Sequence, residues 1–377
     1  MNWKKEKLGN ICTVVGGGTP STREKKYWSE DFFWVSPKDL GMLSKMTISE
    51  TLRKISKDGL KNSSAKLLPV GSVILSSRAP IGYAAINTVE MATNQGCRSF
   101  ICGGDIYNEY LYYFFIANTD YLNSIGSGTT FREVSGSRLK DVDIPLPPFI
   151  EQQRIVKILD EVFENIEKAK ELAEKNIENF KELFRSYLNI FFSNPCIEFG
   201  YKYLNEISDN LDSKRIPVTK NMRNRGNYPY YGASGIVDYV EGYIFDEELL
   251  LISEDGANLL ARTYPIAFSV NGKTWVNNHA HVLKFENKVT QKFVEFYLNS
   301  IKLDPYVSGM AQPKLNQRML NSIKIPLPTL GEQESIVKKF QFLSLETKKL
   351  EQIYKEKLAD LEELKKSVLK KAFSGEL

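Results

Sequence analysis

IPLPPFIEQQRIV, Ile144 to Val156, returns as IPLPTLGEQESIV, Ile325 to Val337. The offset is 181 residues (325 − 144), close to half of a chain of 377. A repeat at half-length points to duplication of a whole unit, not to reuse of a local turn. The register extends outward without a gap. Upstream, Ile144, Val142, Leu139, Val134 and Gly128 map onto Ile325, Ile323, Leu320, Leu315 and Gly309. Downstream, Ser186, Leu188, Phe192 and Ser193 map onto Ser367, Leu369, Phe373 and Ser374. About 65 residues share this one offset.

Each copy of the phrase leads into a long helix. Two close prolines fix an extended approach and disfavour helix before them. Thr329 and Glu332 carry the Thr-x-x-Glu spacing of a capping box. No proline interrupts Phe149–Phe192 or Leu330–Phe373. In the first run the apolar positions are Leu159, Val162, Ile166, Ala169, Ala173, Ile177, Phe180, Phe184, Tyr187 and Phe191. Their steps of three and four form a heptad seam with one repeated four-residue step at Ala173. Adding 181 gives Phe340, Leu343, Thr347, Leu350, Tyr354, Leu358, Leu361, Lys365, Val368 and Ala372, with only Thr347 and Lys365 not apolar. About 43 residues rising about 1.5 Å each make a rod of about 60 Å, longer than one small domain uses. Matching stripes on two rods predict that they pair, and a pseudo-twofold duplication makes the pair antiparallel. The expected fold is therefore α+β. Two mixed globular domains, 1–148 and 194–329, are separated by long helices at 149–193 and 330–377 that form an antiparallel coiled coil.

The composition, 42% hydrophobic and 25% charged, is that of a folded chain, and the length calls for more than one core. A net charge of +4 admits a polyanionic partner without requiring one. The longest apolar run, Tyr110 to Ala117, is too short to span a bilayer, and the opening MNWKKEKLGN has no signal-peptide core. Cys12, Cys97, Cys102 and Cys196 form no CxxC pair, as suits reduced thiols in a cytoplasmic protein.

Outside the helices, GSVILSS (Gly71 to Ser77) and ELLLIS (Glu248 to Ser253) read as buried strands. KLGNI ending at Ile11 parallels YLNEI ending at Ile207. TNQGCRSFIC (Thr93 to Cys102) parallels VNNHAHVLKF (Val276 to Phe285), which sets Asn94 opposite Asn277. The rods keep their register while the globular parts diverge. Side chains suited to base edges recur in these parts. Arg78 suits guanine; Asn94, Gln95, Asn277, Asn278 and Gln312 suit adenine; Glu254 or Asp255 suits cytosine. Lys25, Lys26, Lys220, Arg223 and Arg225 suit phosphates. NYPYYGASG (Asn227 to Gly235) adds Tyr231 and Ser234 beside flexible glycines.

Catalytic constellations are sparse. GGGTP (Gly16 to Pro20) lacks GxGxxG spacing and a P-loop lysine. His279 and His281, expected on one face of a strand, have no further ligand at a metal-site spacing, so no metal is expected. NYPY (Asn227 to Tyr230) is similar to an adenine-methyltransferase motif but has Tyr228 in place of its first proline and no cofactor loop. The chain reads as a binding protein without catalytic residues or cofactor. Its rivals are a stand-alone adenine DNA methyltransferase and a coiled-coil scaffold that binds no DNA.

Several of these segments together resemble the specificity subunit of a Type I restriction–modification system. They are the doubled IPLP…EQ…IV phrase, the paired helices, the closing LKKAFSGEL (Leu369 to Leu377), GGGTPS, YYGASGIVDYV (Tyr230 to Val240) and SEDGAN (Ser253 to Asn258). The resemblance covers essentially the whole chain. It implies two target-recognition domains, each reading half of a split, asymmetric target in double-stranded DNA. It implies that the helices are spacers that dock two methyltransferase subunits, with Glu151, Gln152, Ile155, Val156, Glu332, Gln333, Ile336 and Val337 at the docking end. An endonuclease subunit joins the same assembly in this reading, no membrane is involved, and cofactors belong to the partners. The departures from a clean duplication, Thr347 and Lys365, bear on local packing of the rods.

Overall fold

A computed structural model of the chain describes residues 3–78, 80–128, 132–194, 199–309 and 312–377, so Cys196 lies outside the described residues. The chain divides into two compact units. One is Met1–Leu172 with Glu356–Leu377; the other is Ala173–Lys355. Each unit thus combines globular chain with a stretch of both long helices.

In the first unit a five-stranded sheet runs in the order Cys12–Gly16, Cys97–Cys102, Val73–Ser77, Ile81–Asn87, Thr47–Ile48. The first four strands are antiparallel neighbours, and the short Thr47–Ile48 strand joins in parallel at the edge. All five residues of Val73–Ser77 are buried, because this central strand is covered on both faces. A smaller sheet orders Lys54–Ile55, Phe32–Val35, Met91–Thr93, with the last two strands parallel. Helix Asn108–Ala117 packs on the core with Tyr110, Leu111, Phe114 and Phe115 buried. The same core includes Leu369 and Ala372 from the far end of the chain, and Phe373 sits 5.0 Å from the Tyr110 ring.

The second unit repeats this plan. Its sheets run Asp209–Asn210, Ala280–Lys284, Leu249–Ser253, Ala267–Val270 and Gly235–Val240, Arg225–Gly232, Lys273–Val276, Phe245–Asp246. The first sheet is antiparallel throughout, and Arg225–Gly232 lies parallel to Lys273–Val276, as Phe32–Val35 does to Met91–Thr93. Both anticipated strands, Val73–Ser77 and Leu249–Ser253, occupy the same sheet position. Helix Lys288–Ser300 takes the place of Asn108–Ala117. Around it Phe192, Phe296 and Phe340 cluster with ring centres 5.3–5.8 Å apart for the pairs involving Phe340.

The long helices, Phe149–Phe192 and Leu330–Ser374, are unbroken. The carboxylate of Glu332 accepts from the Thr329 amide at 2.8 Å and from its hydroxyl at 2.7 Å, which realises the cap expected there. The helices pair antiparallel in both units. In the first, Glu167 accepts from Lys365 at 3.2 Å while Lys170, further along, bonds Glu362. In the second, Phe180 meets Tyr354 at 5.6 Å and Phe191 meets Phe340 at 5.1 Å. Exposed ion pairs contribute at most about 1 kcal/mol each, so the apolar seam holds the pair. All ten seam positions of the first helix are buried or half-buried. Lys365 keeps its place with its ammonium over the Phe163 ring at 5.0 Å, from where it donates to Glu167. One expectation fails: Leu350 is 38% exposed and the neighbouring Glu351 is half-buried. A straight helix turns slightly more slowly per residue than a heptad repeat, so the stripe slips by one residue there.

The docking residues inferred from the repeated phrase need a second correction. Gln152, Ile155, Val156, Gln333 and Val337 are buried within their own units, whereas Glu151, Glu332 and the half-buried Ile336 still reach solvent. The glutamines are anchors. Gln152 accepts from the Tyr107 amide at 2.8 Å and donates to the carbonyls of Asp105 and Pro147 at 2.8 and 2.9 Å. Gln333 accepts from the Thr290 hydroxyl and donates to the Pro328 carbonyl, both at 2.8 Å. Each ties the first turn of a long helix to the first turn of the domain helix. Gln152→Ala leaves three backbone groups, one of them fully buried, without this partner and is expected to destabilise the first unit by about 1–3 kcal/mol. Exposed Gln153→Ala should change stability by less than about 0.5 kcal/mol. Urea titrations of both variants check this; equal midpoints would refute the anchor.

Candidate nucleic-acid interface

In each unit several polar loop residues meet at one end of the sheet that holds Val73–Ser77 or Leu249–Ser253. In the first unit Gly17 and Gly18 approach the backbone so closely that an added Cβ would lie 2.0 Å from the Asn94 carbonyl oxygen and 2.3 Å from the Ala65 nitrogen. The GGGTP stretch is glycine-rich for this packing, not for a nucleotide. It places Thr19 against both sequence-selected side chains of the next loop: the Thr19 hydroxyl bonds Gln95, and Asn94 Nδ2 donates to Thr19 at 3.2 Å. Asn94 Oδ1 accepts from the Gly96 amide at 2.7 Å, so Asn94 shapes the loop while Gln95 stays exposed. Arg78, half-buried, pairs with Glu133 at 3.8 Å. Arg98 donates to the same carboxylate at 3.0 Å. Lys25 and Lys26 are exposed on a separate short turn, Lys25–Tyr27.

The second unit places its residues in matching positions. Asn277 Oδ1 accepts from the His279 amide at 2.8 Å, just as Asn94 serves Gly96, which supports the anticipated pairing of Asn94 with Asn277. Asp255 holds the His279 ring nitrogen Nδ1 at 2.8 Å. Asn278, Gln312 and Ser234 are exposed. Tyr231 is half-buried against Phe268 at 6.0 Å, and burial raises its hydroxyl pKa. Arg225 and Lys220 are exposed, but Arg223 is committed: it pairs with Asp238 at 3.2 Å and covers the Tyr230 ring at 4.3 Å. NYPY lies inside strand Arg225–Gly232, with Tyr230 buried.

The histidines do not share one face. His279 precedes the strand and is exposed, while His281 is buried inside it. His281 Nδ1 meets Asp212 at 2.6 Å and Nε2 meets the Leu315 carbonyl at 2.7 Å. Ligand-type atoms of Asp212, Glu254 and His281 lie within 4.8 Å of one another, an arrangement no sequence spacing announced. Arg215 at 2.7 Å and Lys314 at 3.1 Å from Glu254 already balance those carboxylates, so the group is a closed ion network. Arg98, Glu133, Arg215 and Lys314 were not among the sequence-selected residues. Arg98 left one trace, a single charge in the otherwise uncharged strand CRSFIC.

The comparisons with known proteins agree with this architecture. The family described as Type I restriction modification DNA specificity domain matches residues 1–176 and 197–359. The chain belongs to that family. It is 38% identical over 234 residues to the type I restriction enzyme MjaIX specificity subunit of Methanocaldococcus jannaschii, covering 60% of this chain and 54% of that one. It is 35% identical over 189 residues to a specificity subunit of Haemophilus influenzae, covering 45% of this chain and 49% of the relative, so these alignments span about half of each relative's length. The EcoprrI specificity subunit of Escherichia coli is 25% identical over 360 residues, covering 89% of this chain and 87% of that one. Among solved structures, the HsdS subunit of Thermoanaerobacter tengcongensis superposes with a TM-score of 0.63 at 20% identity, covering 100% of this chain and 97% of that one. A chain from a type I restriction–modification system superposes with a TM-score of 0.76 at 19% identity over 100% of this chain and 98% of the other. Among the described residues no helix is long and apolar enough to cross a membrane.

The network around His281 has a pH signature. Burial alone would raise the Asp212 pKa, but the hydrogen bond and charge of His281, the Val282 amide and Arg215 together hold it below its ordinary value. Glu254 is likewise lowered: Arg215, His281 and Lys314 outweigh its burial. The unfolded chain therefore binds these protons more tightly than the folded one. The stabilisation is complete above about pH 5 and is lost as pH falls through the depressed values. Asp212→Asn is expected to flatten the acid limb of the second unit's melting temperature against pH, followed by Trp275 fluorescence. An acid limb like the parent's would contradict the network.

Proposed function

We propose that the chain is a non-catalytic, DNA-reading specificity subunit of a Type I restriction–modification complex. Its two globular domains, 1–148 and 194–329, each read one half of a split target in double-stranded DNA. One observation carries this reading: a single topology is built twice, with unlike polar side chains at matched loop positions. Arg78 stands where the second unit has Asp255, Gly96 where it has His279, and Glu133 where it has Lys314. An arginine suits guanine and an aspartate suits cytosine, so the substitutions suit two different half-sites. The exposed Gln95, Asn278 and Gln312 suit base edges, and Lys25, Lys26, Lys220 and Arg225 suit phosphates. Partner methyltransferase subunits, two per chain, would dock on the outward faces of the helices near Glu151 and Glu332, with an endonuclease subunit joining the assembly in the cytoplasm.

In this reading the helix pair sets the gap between half-sites. Inserting one heptad at matched positions of both helices lengthens each by about 10 Å, roughly three base pairs. Mapping methylated bases in cells that express the variant with its methyltransferase partners should show the same two half-sites, further apart. An unchanged gap would count against the helices as spacer.

A further inference from the structure

The matched positions can be set side by side through their backbone bonds. The Ser77 amide donates to the Gly96 carbonyl and the Val134 amide to the Ser77 carbonyl; the Glu254 amide donates to the His279 carbonyl and the Leu315 amide to the Glu254 carbonyl. Ser77 is thus equivalent to Glu254, and Gly96 to His279. Counting along the sheet makes Arg98 equivalent to His281, since each faces the matching residue of the central strand, Leu75 and Ile252. On the other side Gly16 pairs with Arg98. The register of Asp209 with Lys284 and Asn210 with Leu283, continued by two residues, sets Asp212 in the place of Gly16.

That difference, together with Glu254 in place of Ser77 and Lys314 in place of Glu133, changes the chemistry of the place. In the second unit Asp212 fills it and pairs with His281, and Arg215, Glu254 and Lys314 complete a closed network. In the first unit Gly16 contributes no side chain, and a Cβ built on it would meet nothing within 4 Å. A cleft of about 560 Å³ opens there, lined by Gly16, Gly17, Arg78, Arg98, Glu133 and Lys140 among others. Three cations face one carboxylate. Glu133 holds Arg98 at 3.0 Å and Arg78 at 3.8 Å, which orients both guanidinium groups without cancelling their combined charge.

We propose that this cleft seats one phosphate of the DNA backbone, and that its counterpart in the second unit, closed by Asp212, seats none. Arg98 is the principal contact, with Lys140 at the rim and Glu133 as a positioning residue, while Arg78, held by the same carboxylate, keeps the base-reading role proposed above. Phosphate is favoured over a base edge because the cations converge on an open cleft whose glycine wall lets a strand approach closely. The inference rests on the DNA-reading function proposed above. It also makes the two domains unequal: the first grips the duplex through an anchored phosphate at a point where the second does not.

The test measures fluorescence anisotropy of a mixed-sequence duplex against salt, using the full chain alone and reconstituted with methyltransferase subunits. Gly16→Asp places a carboxylate beside Arg98, as Asp212 sits beside His281. It should weaken binding and make the slope of log K against log salt shallower by about 1, the signature of one lost phosphate contact. Arg98→Gln should do the same. Thr13→Asp, which adds the same charge on an exposed site of the same strand, should leave the slope as in the parent. Parental slopes in folded Gly16→Asp and Arg98→Gln overturn the inference while leaving the DNA-reading function intact. Absence of binding by the parent in both arms removes that function itself. A parental slope together with thermal stabilisation by inorganic phosphate that Gly16→Asp abolishes would assign the cleft to a free phosphate and overturn the DNA assignment.

Discussion

The structure depends on the closure of each globular core by helix residues that lie far away in the chain. The first unit is sealed by Leu369, Ala372 and Phe373, more than two hundred and fifty residues from the helix bearing Tyr110 and Phe114. In the second, Phe340 and Phe192 pack on Phe296 and Phe293 of the helix Lys288–Ser300. Burying a large apolar side chain contributes about 1.5–3 kcal/mol. A handful of such residues is therefore comparable to the whole stability of an ordinary domain. Neither domain is complete until both helices are in place, so domain folding and helix pairing form one problem.

That constraint explains which parts of the repeat kept their register. The 181-residue offset holds over the strand before each helix, the anchoring glutamine and the seam. These groups must satisfy the same hydrogen bonds and the same antiparallel geometry in both copies. Leu139 and Leu320, Val142 and Ile323, and Ile144 and Ile325 are buried to the same degree in the two units. The loop ends meet no such requirement. There one copy carries Arg78, Gly96, Arg98 and Glu133, and the other Asp255, His279, His281 and Lys314. A scaffold held by packing, with tips free to change charge, lets one plan carry two unlike sets of polar side chains.

Much of this was legible in the sequence because its signals are local and periodic. The helices, their seam, the Thr329 cap, the central strands and the equivalence of Asn94 with Asn277 all follow from spacing within a few turns or strands. Leu350 was misplaced because a heptad count ignores the slow drift of a real helix. The repeated glutamines looked like surface residues of a docking motif. A repeat shows that a residue is reused but not which way it faces, and only the Tyr107 amide and the Thr290 hydroxyl reveal that they turn inward. The network of Asp212, Arg215, Glu254, His281 and Lys314 has no sequence signature, because its members are scattered over about a hundred residues and meet only through the sheet. Arg98 shows the same limit: Glu133, 35 positions on, gives the lone charge of its strand a role.

Hydrogen exchange of Ala372→Asp tests the central claim most directly. The substitution forces a carboxylate into the apolar seal between the last helical turns and the core of the first unit, where Ala372 is fully buried. The account predicts faster exchange in helix Asn108–Ala117 and in strands Val73–Ser77 and Cys97–Cys102, with the strands Leu249–Ser253 and Ala280–Lys284 keeping their protection. Unchanged protection of Asn108–Ala117 would contradict it, for the first domain would then be complete without the end of the chain.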